Sequence, residues 1–303
     1  MILFCFPQYE HMAQQIRTLP FLESGKFAVL RYNNQELHAV VASSVSEKPC
    51  SILGSIAPPE EQILSFTLLA HTLKKEGARH VTGILPYLAY TREDKRKPGE
   101  SLSAAWVGSL LKASGVDSVL TVDLHSERDK DLFPVPLVSL SPASLFAATI
   151  SRSEWKDATI VAPDHGAISR CEAVQSAMGI APHNIPYFGK RRTDAGIVHG
   201  KLVGEVGPRA IIIDDILDTG ETLVSACERL SEAKVQEICI FITHGLFTGS
   251  HWKRLKSLGV QHIFCTDTVP VFANLTDENI TVLSITPMLE KKLAASKADQ
   301  PTS

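Results

Sequence analysis

The stretch AIIIDDILDTGETL, residues 210–223, passes from an apolar run through acidic residues into a small polar turn. The run Ile211–Ile213 predicts a buried β-strand, because short β-branched segments bounded by turn residues are typical of strands. Helical spacing of apolar residues resumes at Leu223. The turn Asp218–Thr222 therefore joins a strand end to a helix start, and this unit predicts an α/β fold.

The predicted turn suits a phosphate group. The first N–H groups of a helix lack partners within the helix, and the positive end of the helix dipole attracts anions. Gly220 allows the backbone to approach a ligand closely, and the hydroxyls of Thr219 and Thr222 add donors. The Gly-Lys-Ser/Thr of a Walker loop is absent, so the turn is a different kind of phosphate site.

Carboxylates stand beside this turn at Asp214, Asp215 and Asp218. They would repel a phosphate, but they suit sugar hydroxyls or a magnesium ion next to it. A ligand with a phosphate at one end and vicinal hydroxyls at the other, such as ribose 5-phosphate, fits both parts of the motif. The alternative is an acidic surface turn that caps a helix.

Short apolar runs alternate with longer amphipathic ones along the chain. Strands are predicted at Leu37–Ala42, Ser51–Gly54, Val81–Leu85, Ser118–Val122, Thr159–Val161, Ala210–Ile213, Ile238–Ile242 and His262–Cys265. Helices are predicted at Pro59–Lys75, Ser101–Ala113, Pro142–Ser151, Ala167–Met178 and Glu221–Glu232. This alternation is typical of mainly parallel sheets flanked by helices.

A helix-to-strand pattern recurs along the chain, as LKKEGARHV, LKASGVDSV, LSEAKVQEI and LKSLGVQHI. Gly77, Gly115 and Gly259 stand where a left-handed residue would end each helix, and Lys234 is the exception. The recurrence predicts two similar α/β halves that divide near residue 140, although any α/β protein can repeat such a turn. The polar tail from Glu290 is expected to fray.

Composition excludes several classes of protein. The chain has 303 residues, 44% of them hydrophobic, and a formal net charge of −3, which argues against a protein that coats nucleic acid. No apolar run reaches the ~20 residues that span a bilayer, and the start MILFCFPQYE lacks the features of a secretory signal. The scattered cysteines, without a CxxC pair, predict reduced thiols in a cytoplasmic protein.

Polar residues also follow other predicted strands, where ligands collect in open α/β sheets. VLTVDLHS ends a strand with Asp123 and His125, and VAPDHGAISR places Asp164 before a helix start at Gly166, with Arg170 one turn along. From the residues alone, His125 is more typical of a structural hydrogen bonder, because magnesium prefers oxygen ligands. Asp164 is also suited to cap the helix.

Two basic segments and an aromatic turn complete the set of motifs. TREDKRKPGES is a basic loop, and YFGKRRTDAG places Lys190, Arg191 and Arg192 beside glycines, as a mobile arm would. YNNQE offers the ring of Tyr32 to a base. Each basic segment alone is typical of a solvated loop, and nucleic-acid binding is disfavoured because aromatic residues are not interleaved.

Together these segments resemble a known family. IIIDDILDTGETL is similar to the phosphoribosyl-binding signature of type I phosphoribosyltransferases and ribose-phosphate pyrophosphokinases. LPYLAYTREDKRKPGESLSA, VLTVDLHS, VAPDHGAISR and GKRR stand in the order of the second group, over roughly Arg31 to Thr243. The resemblance implies transfer of the β,γ-diphosphoryl group of ATP to the C1 hydroxyl of ribose 5-phosphate, with release of AMP.

The resemblance also implies an architecture and an assembly. It implies two type I phosphoribosyltransferase-like domains, residues 1–140 on the nucleotide side and 141–303 on the ribose 5-phosphate side. It implies Mg²⁺, and a homo-oligomer built from dimers, up to a hexamer, in which the YNNQE loop completes a neighbour's nucleotide pocket. Neither a nucleic-acid partner nor a membrane is expected.

Residue roles follow from the same resemblance. The residues for ribose 5-phosphate are Asp214, Asp215, Asp218, Thr219, Gly220, Glu221 and Thr222. Those for ATP are Tyr32, Asn34, Glu36, Arg92, Glu93, Asp94 and His125. His125 and Asp164 match metal positions, and Lys190 and Arg192 match a catalytic arm. No general base stands out, and phosphoryl-type transfer relies mainly on positioning and charge stabilisation.

The chain departs from the family pattern around the nucleotide. Asn34 and Gln35 stand where the family usually has Asp and Gly, and Glu93 stands where Gln is more frequent. These departures predict relaxed discrimination among purine triphosphates. Two alternatives stay open: a nucleobase phosphoribosyltransferase, which the TRED, DLH and KRR elements disfavour, and a catalytically silent regulatory paralogue, which the altered YNNQE loop favours.

Overall fold

The computed structural model describes residues 1–181, 184–193, 196–270 and 277–298, and only the backbone of 190–193, 196–199 and 297–298. The chain forms two compact units, one of residues 1–140 with the C-terminal segment from Thr286, and one of Ser141–Ile285. The chain passes from the first unit to the second after Leu140, and the last helix groups with the first unit. Within the described ranges, no helix is long and apolar enough to cross a membrane.

The first unit is built on a parallel sheet of six strands and a separate hairpin. Its strands are β1 (Ile2–Cys5), β2 (Glu23–Ser24), β3 (Phe27–Arg31), β4 (Leu37–Val41), β5 (Pro49–Leu53), β6 (His80–Leu85), β7 (Ser118–Val122) and β8 (Leu137–Leu140). The sheet order is β2-β1-β5-β6-β7-β8, and β3 pairs antiparallel with β4. Its helices include α1 (Glu10–Ile16), α2 (Glu61–Lys75), α3 (Ser103–Ala113) and α4 (Asp129–Leu132).

The second unit has a five-stranded parallel sheet and its own hairpin. Its strands are β9 (Thr159–Val161), β10 (Tyr187–Thr193), β11 (Gly196–Val203), β12 (Arg209–Leu217), β13 (Glu237–Gly245), β14 (Val260–Thr266) and β15 (Ile280–Leu283). The sheet order is β15-β14-β13-β12-β9, and β10 pairs antiparallel with β11. Its helices are α5 (Ala143–Ser151), α6 (Ile168–Ala177) and α7 (Glu221–Glu232), while α8 (Thr286–Ala298) belongs to the first unit.

Strand β12 explains why the opening stretch is apolar without alternation. Ile212 packs into a cluster with Leu230 of α7, while Ile211 and Ile213 pack into a second cluster with Phe146 of α5. Successive strand residues point to opposite faces, and both faces of this sheet are covered by helices. A continuous apolar run is therefore what a central parallel strand requires.

The predicted left-handed helix ends are confirmed. Gly77, Gly115 and Gly259 have φ of 85°, 91° and 90°. Lys234, the position of the pattern that is not glycine, adopts the same left-handed conformation with φ 65°. The turn geometry is therefore the same at all four positions, although at Lys234 the Cβ makes an unfavourable contact with the backbone.

The predicted helices and strands are found, with shifts at their ends, but one expectation was wrong. The strand predicted at Leu37–Ala42 is found as β4, which pairs antiparallel with β3 in a hairpin. The tail does not fray from Glu290, because α8 continues to Ala298 and buries Leu289 and Leu293. Burial of these leucines offsets the polar composition of the helix.

Candidate functional site

The turn between β12 and α7 has the geometry of an anion-binding helix start. Gly220 is the N-cap of α7, with φ 89°. A Cβ at this position would lie 2.8 Å from both Cα and Cβ of Trp252. Position 220 therefore requires glycine for two reasons, the left-handed backbone and the close approach of Trp252. Thr219 and Glu221 beside it are exposed, and Thr222 is half-buried.

Asp218 connects this turn to the loop after β13. The Thr248 backbone N–H donates to the Asp218 carbonyl at 3.1 Å, and the Thr248 hydroxyl donates to Asp218 Oδ1. The sequence predicts Asp218 as a ligand residue and gives no indication of Thr248. The contact joins residues 30 positions apart in the sequence, so no local pattern could have shown it.

Asp214 and Asp215 share one cation, Arg170 of α6. Arg170 Nη1 lies 3.8 Å from Asp214 Oδ1, and Arg170 Nη2 lies 3.8 Å from Asp215 Oδ2. Burial, and then the neighbouring Asp215 carboxylate, raise the pKa of Asp214 well above its usual range, against the opposing effect of Arg170. The charge of Asp164 acts on Asp214 in the same direction.

In the sequence Arg170 stands one turn into a predicted helix, and the motifs do not assign it to the site. Its side chain is 14% exposed, and its guanidinium bridges the two aspartates. An arginine is a suitable partner here, because its fixed fork can face two carboxylates and its charge persists when buried. The site in the second unit is therefore a cation-bridged acid pair beside a glycine-capped helix start.

Asp164 caps the short 3-10 helix His165–Ala167, which precedes α6. Its Oδ1 accepts from the backbone N–H groups of Gly166 at 2.8 Å and Ala167 at 3.2 Å. This is the capping role that the sequence left open beside metal binding. A carboxylate has about four lone-pair sites, so a cap on one oxygen does not exclude a ligand role.

The KRR segment forms a strand rather than a loop. Lys190, Arg191 and Arg192 lie in β10, and their backbones pair with residues 199, 198 and 197 of β11. Their side chains lie outside the described part of the chain. In an extended strand, residues 190 and 192 share a face and residue 191 lies on the other.

The YNNQE loop is the tip of the β3–β4 hairpin. The Tyr32 N–H donates to the Glu36 carbonyl, and the Gln35 N–H donates to the Tyr32 carbonyl, both at 2.9 Å. The Asn34 side-chain oxygen accepts from the Glu36 N–H at 3.2 Å, so this acceptor is used by the turn itself. Gln35 has φ 72°, which is the conformation that a glycine would adopt easily.

The TRED segment follows a second left-handed residue, Tyr90, with φ 69°. Arg92 and Glu93 are exposed, and Asp94 is half-buried. The Glu93 carboxylate accepts from Lys97 Nζ at 3.1 Å. The negative charge that Glu93 would bring near a polyphosphate is thus partly balanced by a cation one turn away.

The DLH segment carries an exposed histidine above a buried acid. Asp123 has φ 46°, and His125 is exposed. Asp129 is fully buried and its Oδ1 has no hydrogen-bond partner. Burial is the main reason that the pKa of Asp129 is raised to about 6; the Ser126 N–H and His125 oppose this rise, and the charge of Asp94 adds to it. Asp94 and His125 therefore both act electrostatically on Asp129.

No set of three or more His, Cys, Asp or Glu side chains within the described ranges is arranged to enclose a metal ion. The two predicted metal positions lie in different units, His125 in the first and Asp164 in the second. Each of the two units thus contains one of the predicted metal positions.

Comparison with known proteins identifies the family. A family model described as the N-terminal domain of ribose phosphate pyrophosphokinase matches residues 1–115, and the phosphoribosyl synthetase-associated domain matches residues 154–294. The ribose-phosphate pyrophosphokinase of Campylobacter jejuni is 30% identical over 285 residues, which cover 93% of this chain and 90% of that protein. This chain belongs to the ribose-phosphate pyrophosphokinase family.

Further members of the pyrophosphokinase family agree with this assignment. Ribose-phosphate pyrophosphokinase 4 of Saccharomyces cerevisiae is 30% identical and matches 87% of this chain and 82% of its own length. The crystal structure of phosphoribosylpyrophosphate synthetase from Mycobacterium smegmatis superposes with a TM-score of 0.87 at 27% identity, and covers 99% of both chains. The predicted pyrophosphokinase fold is confirmed over the length of the chain.

Proposed function

We propose that the protein transfers the diphosphoryl group of ATP to the C1 hydroxyl of ribose 5-phosphate, giving 5-phosphoribosyl 1-diphosphate and AMP. Family membership over 93% of the chain supports this activity. The single observation that carries it is the β12–α7 turn, where a glycine-capped helix start adjoins two aspartates bridged by Arg170. Such a surface complements a phosphate at one end and hydroxyls at the other.

The sugar would bind through this turn. The 5-phosphate would accept hydrogen bonds from the first amides of α7 and from the Thr219 and Thr222 hydroxyls. The ribose hydroxyls would donate to Asp214 and Asp215. Because burial raises the pKa of Asp214, the ionised pair is costly in the free protein, and hydroxyl donors from the sugar would offset part of that cost.

The transfer itself requires no covalent intermediate with the protein. The C1 hydroxyl oxygen forms a bond to the β-phosphorus of ATP, and the bond from that phosphorus to the bridging oxygen of AMP breaks. The hydroxyl proton is released to solvent or to a phosphate oxygen. Lys190 and Arg192 would meet the charge that shifts during this step, since positioning and electrostatic stabilisation dominate phosphoryl transfer.

ATP would be held by residues of the first unit. Tyr32 offers an exposed ring, Asn34 and Glu36 lie on the same turn, and the exposed Arg92 would supply a cation to the phosphates. The Lys97 contact makes Glu93 less repulsive to a triphosphate than its charge alone suggests. Asp94 and His125 complete the predicted nucleotide set.

Magnesium fits the carboxylates better than the histidine. Asp164 provides the oxygen ligands that Mg²⁺ prefers, whereas His125 provides a nitrogen. When bound, the ion would neutralise charge on the triphosphate. The electrostatic effect of Asp164 on Asp214 supports a ligand role for Asp164 near the proposed sugar site.

A homo-oligomer is supported by apolar side chains that remain exposed on the β3–β4 hairpin. Leu30, Tyr32 and Val40 are 48%, 55% and 45% exposed. Such a cluster beside a predicted nucleotide loop fits a contact with a second copy of the chain. All six cysteines are buried free thiols, the form expected of a protein in the cytoplasm.

The activity can be tested with purified protein, ribose 5-phosphate and MgATP, followed for AMP and for the sugar diphosphate. Stoichiometric formation of both products is the expected result. Calorimetry on Asp218→Ala should show a larger loss of ribose 5-phosphate affinity than of ATP affinity, because Asp218 shapes only the sugar turn. Absence of AMP formation would favour a silent paralogue, and equal loss for both ligands would place the sugar phosphate elsewhere.

A further inference from the structure

The ring of Tyr32 is already stacked on one side. Its centroid lies 4.1 Å from that of the His38 imidazole, and the two planes differ by 19°. Tyr32 nevertheless remains 55% exposed. Because His38 covers one face, the accessible area of the Tyr32 ring lies on its edge and opposite face. The hairpin thus presents a two-ring platform with one open aromatic surface.

The platform is held by the turn beneath it. Backbone hydrogen bonds join residues 32 and 36 and residues 35 and 32, and Arg31 Nη1 donates to the Gln35 carbonyl at 2.8 Å. His38 stands on β4 opposite Leu30 of β3. Both rings are therefore attached to a closed hairpin end, which limits the directions in which Tyr32 can turn.

Packing alone does not account well for a histidine in this place. The His38 Nδ1 atom is buried and has no hydrogen-bond partner. Burial of a polar atom without a partner is unfavourable, and such atoms in folded proteins call for an explanation. An apolar side chain would avoid this cost. The stacking of the flat His38 ring on Tyr32 is therefore the contact of His38 that needs an explanation.

We propose that His38 is a positioning residue for the purine of the nucleotide substrate. It fixes the Tyr32 ring in one orientation, so that the base stacks on the open face and completes a base–Tyr32–His38 stack. This inference rests on the proposed use of ATP. Parallel-displaced aromatic rings attract each other beyond simple burial of area, and a fixed ring loses less freedom when the base binds.

The effect should be specific to the base. Loss of a stacking layer should weaken ATP binding roughly 3- to 10-fold, the size expected for one aromatic pair. Inorganic tripolyphosphate has the charge of the ATP tail without the base, so its affinity should not depend on His38. If His38 only stabilised the hairpin in general, its removal would instead weaken the binding of both ATP and tripolyphosphate.

The test is calorimetry of MgATP and magnesium tripolyphosphate on His38→Ala, His38→Phe and the wild-type protein. His38→Ala should lose affinity for ATP only, and His38→Phe should restore most of it because a flat ring returns. Tyr32→Ala combined with His38→Ala should be no weaker than Tyr32→Ala alone, since His38 acts through Tyr32. His71→Ala, which removes an exposed histidine of α2, is the control.

Two results would overturn the proposal: unchanged ATP affinity in His38→Ala, or an equal loss for tripolyphosphate. Failure of the proposed activity gives a different pattern. In that case ribose 5-phosphate and MgATP yield no AMP, yet the ATP-specific loss in His38→Ala is still observed. A wild-type protein that does not bind ATP at all would contradict both the proposed role of His38 and the proposed activity.

Discussion

Several non-glycine residues next to the proposed site hold left-handed backbone conformations. Gln35, Tyr90, Asp123 and Phe247 have φ of 72°, 69°, 46° and 51°. They stand in or beside the YNNQE, TRED, DLH and Thr248 segments. Such conformations are unfavourable for residues with a Cβ and persist only where the surroundings impose them. In these segments of proposed function, the backbone geometry is therefore kept at a cost in stability.

Gly220→Ala should disable the sugar site. The new Cβ would need a left-handed backbone and would approach Trp252 to 2.8 Å, so the turn must move. We expect a destabilisation of about 2–4 kcal/mol, from backbone strain plus overpacking, and loss of ribose 5-phosphate binding. Thermal unfolding and calorimetry would measure both.

The matched control is Gly249→Ala, which has φ 64° but no atom within 4 Å of its added Cβ. It should show only the backbone cost, about 1–2 kcal/mol. If the two variants behave alike, the contact with Trp252 does not matter.

Asp129→Asn should stabilise the protein at neutral pH. Burial raises the pKa of Asp129 to about 6, above its value in the unfolded chain. The Asp129 carboxyl therefore binds its proton more tightly in the folded state than in the unfolded chain. The stability that this protonation contributes at low pH is lost as pH rises from about 4 to about 6. An upper bound for that loss is roughly 2–3 kcal/mol.

Scanning calorimetry from pH 4 to 8 would test this. The advantage of Asp129→Asn in Tm should grow to about pH 6 and then stay constant, while the exposed Asp131→Asn should show no such trend. An advantage that is the same at pH 4 and pH 8 would rule out the burial of charge as its cause.

At the scale of elements, hairpins carry two of the four segments that are proposed to serve the nucleotide and its transfer, which are YNNQE, TRED, DLH and KRR. YNNQE is the tip of β3–β4, and KRR lies in β10 of the β10–β11 hairpin. Both hairpins are separate from the parallel sheets. The sugar turn and the acids, in contrast, lie at the carboxyl end of β12, where parallel strands place ligands. In the proposed reaction the sheet of the second unit would therefore hold the sugar, and the hairpins would supply side chains for the nucleotide and its transfer.

Lys190→Ala and Arg192→Ala should each lower turnover by at least roughly 10²-fold, with modest changes in either Michaelis constant. Cationic groups that act on the transition state in phosphoryl transfer contribute about 10³–10⁵ in rate. Arg191→Ala is the internal control, since alternation along β10 puts residue 191 on the other face. Steady-state kinetics with both substrates varied would separate the effects. Near-normal turnover in the first two variants would make KRR a surface strand without a catalytic role.

At the scale of the whole molecule, both ends of the chain belong to one unit. β1 begins at Ile2, and α8, which packs against α1, closes the same unit after the second unit has been completed. The first unit is therefore discontinuous in sequence, and its stability depends on residues near position 290.

Leu289→Ala should destabilise the first unit by about 2–5 kcal/mol, because Leu289 is fully buried and its removal leaves a cavity. Hydrogen exchange should show faster opening at β1 amides such as Leu3, with β12 amides less affected. Lys291→Ala, exposed on the same helix, should change little. Equal acceleration in both units would show that they unfold together.

The sequence by itself determined the local features of this protein. The strand–turn–helix unit around Gly220, the helix ends at Gly77 and Gly115, and the order of the motifs follow from periodicity and turn chemistry. These signals act between residues a few positions apart, so one sequence without a structure is enough to read them.

Only the tertiary structure decided which distant residues meet. Arg170 bridges Asp214 and Asp215 across 44 and 45 positions of sequence, and Trp252 leaves no room for a side chain on Gly220. The same holds for the return of α8 to the first unit and for the antiparallel partner of β4. Such contacts depend on how packed elements share a core, and local propensity and periodicity carry no information about that.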